Sequence, residues 1–228
     1  MESKHSPSFV LHSTNDKVTD APTEMQSSGL QAAFRLINER LFDGNLPDCM
    51  LTMQRRRNSY GYMSPAKFES RHFEGRTLDE IAINPAKMPD MSNTAILTTL
   101  TFNMCRVWQE HFGTPGRGRY INQQLADKME SIGLISSDTQ KVGGARTGQH
   151  TGGYVLPGGP LDQLIDEILA GDWELEFQDR VTKNCEPSSG KKENRTTYKC
   201  SICHLTAYAK PKANLVCGNC NVTMSPPS

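Results

Sequence analysis

Two Cys-x-x-Cys pairs near the end of the chain constrain its folding more than any other feature. Their members are Cys200, Cys203, Cys217 and Cys220. Two such pairs on adjacent turns can bring four thiolates into a tetrahedron, which is the geometry that structural zinc requires. Because a segment this short cannot build a hydrophobic core, bound metal would supply its folding free energy. We therefore expect one structural zinc in a small ribbon over residues 191–228.

Two other chemistries use a Cys-x-x-Cys pair. The sequence CSICH at residues 200–204 also matches a haem-attachment motif, but that motif requires an exported protein and leaves Cys217 and Cys220 unexplained. A redox dithiol would need one pair at the start of a helix within an α/β fold, which the pattern does not indicate. The sequence contains neither an apolar run of eighteen residues nor an N-terminal apolar signal segment. We expect a cytoplasmic protein without a membrane span, in which free cysteines stay reduced.

Composition divides the chain into four predicted segments. With 228 residues, of which 36% are apolar and 22% charged, the chain can bury one sizeable domain and carry a small appendage. Residues 1–28 are polar and are predicted to be a flexible leader. The main domain is expected over residues 29–160, and the acidic residues 161–190 are predicted to be a linker. Within that linker the alternating sequence DWELEFQ favours a strand.

Hydrophobic periodicity and turn residues predict an α+β arrangement for the main domain. Helices are predicted from Leu30 to a stop at Asp43-Gly44, from about Ser92 to Phe112, and from about Asn122 to Ile132. Strands are predicted over residues 50–57, 58–65 and 79–86, with a tight turn between the first two near Asn58. Ser92 or Asn93 is expected to cap the long helix. Residues 143–160 are rich in glycine and are predicted to form a long irregular loop of the kind that is often functional.

Several segments, taken in order, resemble one known family. They read LINERLFDGNLPDCMLTMQRRRNSYGYMSP, DEIAINPA, TLTFNMCRVWQEHFGTPGRGRYINQQLADKMESIGLISSDT, GGARTGQ and YVLPGGP. Over about residues 29–160 the chain resembles the SprT-like family, small intracellular zinc metalloproteases whose eukaryotic relatives include Spartan, the DNA–protein crosslink protease. The resemblance implies a zincin-like core of helices packed on a small sheet. A small four-cysteine zinc ribbon after that core is typical of bacterial members.

The residues that carry catalysis in this family are replaced here. The family's helix reads H-E-M-x-H-x-W-Q, and a third His follows the Tyr of the GRGRY turn. Alignment on the Trp-Gln pair at residues 108–109 assigns the three ligand positions to Phe102, Arg106 and Ile121, and the catalytic Glu to Asn103. Phe and Ile cannot ligate zinc, a guanidinium repels it, and Asn cannot act as a general base. The position before Tyr154, often another His in relatives, is Gly153. We therefore expect no catalytic zinc.

Three functions remain open from the sequence. The first is a pseudoprotease that binds nucleic acid or a nucleic-acid-associated protein without cutting it. The second is an active peptidase with an unrecognised site, for which Cys105 would need a histidine base, although His111 is expected on roughly the opposite helix face. The third is a regulatory partner of an intact SprT-like protease or of the transcription machinery, without DNA affinity. Arg106 could either replace the metal and pair with a carboxylate, or extend to the mouth of the cleft.

Basic residues suggest where nucleic acid could bind. Since the net charge is zero, any attraction must come from local patches. The candidates are Arg55, Arg57, Arg117, Arg119, Lys199, Lys210 and Lys212. Arg55 and Arg57 are expected to share one face of a strand, and Tyr198 and Tyr208 could stack on bases or pack within the ribbon. The acidic segment could compete with nucleic acid by folding over the basic cleft.

Overall fold

A computed structural model describes residues 21–149, 152–180 and 196–225 of the chain. The described residues belong to two compact units, one over residues 21–180 and the other over residues 196–225. The helices are α1 (Pro22–Leu41), α2 (Asn93–Phe112), α3 (Gln123–Ser131) and α4 (Pro160–Ala170). The strands are β1 (Cys49–Met53), β2 (Gly61–Glu69), β3 (Thr77–Ile83), β4 (Leu134–Ser137), β5 (Gly152–Val155), β6 (Thr196–Lys199) and β7 (Thr206–Ala209). The α+β class is therefore confirmed.

The largest sheet has the order β1-β3-β2, so the central strand is the last of the three in sequence. β1 runs parallel to β3, and β2 runs antiparallel to it. The pairing of β2 with β3 shifts between Ser64 and Phe68, where Ala66 has a φ of 45°. The Ala66 N–H donates to the buried Asp79 carboxylate at 2.8 Å, which satisfies an amide that the irregularity removes from the ladder.

Helix α2 forms the centre of the core of the larger unit. Its buried apolar residues recur at helical spacing and include Ile96, Leu97, Leu100, Met104 and Val107. The Ser92 hydroxyl accepts a hydrogen bond from the Ala95 N–H at 3.2 Å, as expected for an N-cap. Asn122 caps α3 in the same way. The predicted positions of both helices are confirmed to within one or two residues.

Two predictions about the ends of the main domain are wrong. Helix α1 begins at Pro22 and so crosses the predicted boundary of the leader at residue 28, while residues 1–20 lie outside the described part. The Gln26 side chain, at the start of this helix, makes two hydrogen bonds with the main chain of Phe177. The second wrong prediction is the acidic linker, whose first part is helix α4. The acidic residues lie on one side of this helix, and the opposite side is apolar and packs on the core. The buried residues are Leu161, Leu164, Ile165 and Ile168.

Tertiary contacts also change the predicted strands. β1 ends at Met53, so Arg55 and Arg57 lie in a loop and do not share the face of a strand as predicted. The predicted loop over residues 143–160 contains β5, which pairs antiparallel with β4. The DWELEFQ sequence forms no strand; it runs along α1, where the Trp173 indole N–H donates to the Gly29 carbonyl at 2.9 Å. Among the described residues, no helix has the length and apolar character needed to cross a membrane.

The smaller unit consists of the β6–β7 hairpin followed by a second turn. Its buried side chains are Tyr198, Cys200, Cys217 and Met224. Only two of these four are not cysteines, which agrees with the expectation that the segment has too little apolar surface for a core of its own. Residues 181–195 lie outside the described residues; they comprise the end of the predicted acidic linker and the start of the predicted ribbon, with Lys191, Lys192 and Arg195.

Candidate functional site

The larger unit contains a cleft of about 700 Å³. One wall is the exposed side of α2, and the others are the turn before β2 and strand β5 with the loop that leads into it. The turn depends on Asn58, whose φ of 57° is tolerated by Asn better than by most residues. The Asn84 side chain donates to the Arg56 and Ser59 carbonyls at 2.8 and 2.7 Å and so fixes this turn against the sheet.

Three of the four positions that the SprT-like resemblance assigns to catalysis lie in this cleft. Phe102, Asn103 and Arg106 all line it, and the i, i+4 spacing places Phe102 and Arg106 on the same side of α2. Asn103 is 1% exposed, and its amide donates to the Thr99 carbonyl one turn earlier at 2.8 Å. Its side chain is therefore held in a bond within the helix and contributes packing instead of acid–base chemistry.

The fourth position, Ile121, is not among the cleft-lining residues. Its side chain is fully buried in the core, and its main chain exchanges two hydrogen bonds with Gly148, at 2.9 and 3.0 Å. Gly153 does line the cleft, and a Cβ there would approach the Ile135 carbonyl at 3.1 Å. The close pairing of β5 with β4 therefore favours glycine at that position.

Arg106 is half-buried and lines the cleft. Its Nη2 donates to the Arg119 carbonyl at 3.0 Å, and its guanidinium lies 5.0 Å from the centre of the Phe102 ring. Burial lowers its pKa, and the positive charge of Arg119 lowers it further. Among the described residues it has no carboxylate partner, so the first of the two alternatives, an ion pair with a carboxylate, is not formed. The second alternative, in which the side chain extends to the mouth of the cleft, is compatible with its place in the cleft lining and its partial exposure.

Cys105 is unsuited to be a nucleophile. It is completely buried on the core side of α2, and burial raises its pKa to about 12. The thiol is therefore protonated at neutral pH. His111 is the nearest histidine in sequence. Its Nε2 lies 2.8 Å from the carboxylate of Asp79, the same carboxylate that accepts from the Ala66 N–H at the irregularity in β2.

The cationic candidates of the larger unit fall into two groups. Arg119 lines the cleft, and so does Arg56, whose guanidinium lies 4.7 Å above the Tyr62 ring. The sequence favoured Arg55 and Arg57 over Arg56, because a strand through residues 55–57 would place Arg56 on the opposite face; β1 ends at Met53 instead. Arg57 and Arg117 are exposed outside the cleft lining. Arg55 is exposed as well, and a bidentate bond at 2.6 and 2.7 Å pairs it with Asp179 of the acidic segment.

In the smaller unit, the four predicted cysteines converge. Their sulfur atoms all lie within 4.8 Å of one another, so the group can hold a metal ion. Each pair lies in a tight turn that ends in a residue with positive φ: His204 at 60° and Asn221 at 54°. The amides of Cys203 and Ile202 point at the Cys200 sulfur and lower the pKa of that thiol to about 6. A hydrogen bond to Cys203 raises the pKa of Cys220 to about 12.

The basic residues of the ribbon are exposed, and its two tyrosines differ. Lys199, Lys210 and Lys212 are all open to solvent. Tyr198 is buried, and its hydroxyl bridges two main-chain groups, the Lys210 carbonyl at 3.0 Å and the Ala213 N–H at 2.9 Å. Tyr198 therefore packs the ribbon, whereas Tyr208 is 66% exposed and free to contact a partner.

Comparison with known proteins relates part of the chain to a short bacterial protein. No family model matches the chain, and no solved structure matches it. The chain is 43% identical over 60 residues to an uncharacterized protein encoded in the mucB 3′ region of Salmonella typhimurium. The match covers 80% of that protein and 26% of this chain. Over that stretch, the chain belongs to the same family as the Salmonella typhimurium protein.

Proposed function

We propose that this chain is a binding protein of SprT-like fold that has lost proteolytic chemistry and binds nucleic acid or a protein bound to nucleic acid. The observation that carries the proposal is the lining of the cleft in the larger unit. At the helical positions where a SprT-like enzyme would carry zinc ligands and a general base, this cleft has Phe102, Asn103 and Arg106. None of these side chains can bind zinc or activate water.

The surroundings of α2 support the absence of catalysis. Among the described residues, no second group of three or more His, Cys, Asp or Glu side chains converges besides the four cysteines of the ribbon. Cys105, the one thiol near the cleft positions, is buried and protonated. A peptidase with a different nucleophile would need a thiol or hydroxyl next to a base. The imidazole of His111 is instead hydrogen-bonded to the Asp79 carboxylate.

The metal of the ribbon is proposed to be zinc with a structural role. In a tetrahedral site with Zn–S bonds of about 2.3 Å, the sulfur atoms are about 3.8 Å apart. The four sulfurs here lie within 4.8 Å of one another and those of Cys203 and Cys217 are 3.5 Å apart, so small movements would suffice. Four cysteine ligands leave no open position for substrate, and a zinc bound there would fold the segment instead of catalysing a reaction.

The charge of the cleft supports an anionic partner. Three arginines line it, Arg56, Arg106 and Arg119, against one carboxylate, that of Asp90. Tyr60 and Tyr154 also line the cleft, and Tyr60 is 55% exposed. Cationic grooves with accessible aromatic rings are the common pattern for binding single strands, because the rings stack on bases while the cations contact phosphates.

The test combines binding and proteolysis on the zinc-loaded full chain. Fluorescence anisotropy with labelled single- and double-stranded oligonucleotides should give binding that weakens steeply as salt is raised. The double variant Arg56→Gln/Arg119→Gln should weaken binding by about tenfold, while Arg35→Gln, on the exposed side of α1, should leave it within about twofold. A denatured protein incubated with the chain and DNA should remain uncut.

Two results would contradict the proposal. Chelator-sensitive cleavage of the denatured protein would show that a catalytic metal site exists. Absence of any DNA binding would remove the nucleic-acid part and leave the regulatory partner as the better function. That second candidate is favoured by the exposed apolar side chains of the ribbon, Ile202, Tyr208 and Val216, which are 57–66% exposed. It predicts a complex with a purified partner protein that survives nuclease treatment.

A further inference from the structure

The cleft contains a cation whose hydrogen-bonding capacity is largely unused. A guanidinium has five N–H donors in a planar fork. In the described part of the chain, Arg106 makes one hydrogen bond, from Nη2 to the Arg119 carbonyl. One edge of the guanidinium is therefore anchored by the protein, its face lies against Phe102, and the remaining donors are available to the cleft.

Neighbouring charges make this arrangement unfavourable without a ligand. Burying a guanidinium removes solvation that only an opposite charge restores well. Burial and the positive charge of Arg119, which lines the same cleft, both lower the Arg106 pKa. Asp90 is the one carboxylate of the cleft lining, and it forms no ion pair with Arg106. An anion bound between the two arginines would relieve both the repulsion and the desolvation.

We propose that Arg106 and Arg119 form a phosphate-binding pocket in the cleft. The inference rests on the proposed function only in treating the cleft as a binding site, and it names the group that would be held there. Arg106, which is half-buried and held by its bond to the Arg119 carbonyl, would make a bidentate contact with the bound group. The exposed side chain of Arg119, in the loop between α2 and α3, would contact the same group.

Phosphate fits this pocket better than a carboxylate does. The two guanidinium groups of this cleft wall carry two positive charges, which a phosphate monoester dianion can balance and a single carboxylate cannot. A phosphate also offers three oxygens, which can accept hydrogen bonds from the guanidinium groups of Arg106 and Arg119 at the same time. The ligand would be either inorganic phosphate or the terminal phosphate of a strand whose adjoining base reaches the tyrosines of the cleft.

The experiment is a calorimetric titration of the zinc-loaded full chain with inorganic phosphate at low ionic strength, with acetate as the carboxylate probe. We expect saturable phosphate binding and much weaker acetate binding. Arg106→Met should reduce phosphate affinity by about tenfold or more, since it removes a charge-assisted bidentate contact. Arg119→Gln, at an exposed position where folding is not at risk, should also reduce it. Arg117→Gln, in the same loop but outside the cleft lining, is the matched control and should change affinity by less than about twofold.

Oligonucleotides with a 5′-phosphate or a 5′-hydroxyl then distinguish the source of the group. Tighter binding of the phosphorylated strand, lost in Arg119→Gln, supports a terminal phosphate. Equal binding of both strands with retained phosphate titration assigns the pocket to the free ion. The inference is overturned if wild type shows no saturable phosphate binding, if acetate binds equally well, or if Arg117→Gln loses as much affinity as Arg119→Gln. DNA binding without phosphate binding would overturn this inference alone, and phosphate binding without DNA binding would overturn only the nucleic-acid part of the proposed function.

Discussion

Removal of the metal should unfold the ribbon and leave the larger unit intact. The ribbon buries two side chains other than cysteine, Tyr198 and Met224. Full burial of such a side chain contributes roughly 1.5–3 kcal/mol, so the two together contribute roughly 3–6 kcal/mol. Zinc bound by four thiolates contributes about 10–16 kcal/mol in comparable small domains. A zinc ion bound there would therefore be the larger source of stability, and the apolar contacts alone should not keep residues 196–225 folded.

The perturbation is Cys200→Ser/Cys203→Ser, which removes two ligands, together with a chelator titration of the wild type. Elemental analysis should find one zinc per wild-type chain and none in the variant. Amide hydrogen exchange should show loss of protection across β6 and β7 and unchanged protection in α2. Cys49→Ser is the matched control, because Cys49 is a buried free cysteine of the larger unit and its loss should not change the zinc content.

Two results would refute this reasoning. If the amides of the ribbon stay protected from hydrogen exchange without metal, its few packed side chains are enough to keep it folded. Metal binding would then not supply the folding free energy of the ribbon. If wild type holds two zinc ions and one survives the substitution, ligands exist outside the four cysteines. In that case the interpretation of the cleft as a non-catalytic site would also fail.

Three further substitutions test contacts seen in the structure. Asp179→Asn should release Arg55 from its exposed ion pair and tighten DNA binding by about two- to fivefold in anisotropy, and an unchanged affinity would exclude the acidic segment as a competitor. Tyr198→Phe removes two buried hydrogen bonds and should lower the free energy of unfolding of the zinc-bound ribbon by about 1–2 kcal/mol in hydrogen exchange, with no loss expected if the hydroxyl were solvated. Phe102→His/Arg106→His creates an i, i+4 histidine pair in the cleft and should bind one added Co²⁺ per chain with a visible absorption band; a folded variant without that band would show that the cleft no longer fits a metal.

Local patterns in the sequence were sufficient for the elements whose signals are local. The long helix α2 was predicted with its Ser92 cap, because a 3.6-residue apolar period and a capping side chain both act within a few residues. The four ribbon cysteines converge as their spacing predicts, since two turns that each present two sulfurs can meet around one ion. Three of the four positions that the SprT-like resemblance assigns to catalysis also line the same cleft, and Phe102 and Arg106 share one side of α2 because they are four residues apart.

Other features depend on contacts between distant segments. Gly152–Val155 reads as a glycine-rich loop, and it becomes strand β5 only because β4 supplies its hydrogen-bonding partners. Residues 172–178 alternate like a strand, yet they run along α1, where Gln26 and Gly29 satisfy their polar groups. Amide pairing is set by what lies opposite in space, which a periodic pattern does not specify.

The sequence by itself determined that four cysteines able to hold a metal ion follow an α+β domain, and which side chains occupy the positions that the SprT-like resemblance assigns to proteolysis. Only the tertiary structure decided where those side chains lie. Asn103 bonds along its own helix, Ile121 enters the core, and Arg106 lines the cleft with Arg119 and forms no ion pair with a carboxylate of the described residues. The physical reason is that the state of a buried charge is set by which groups from other elements surround it.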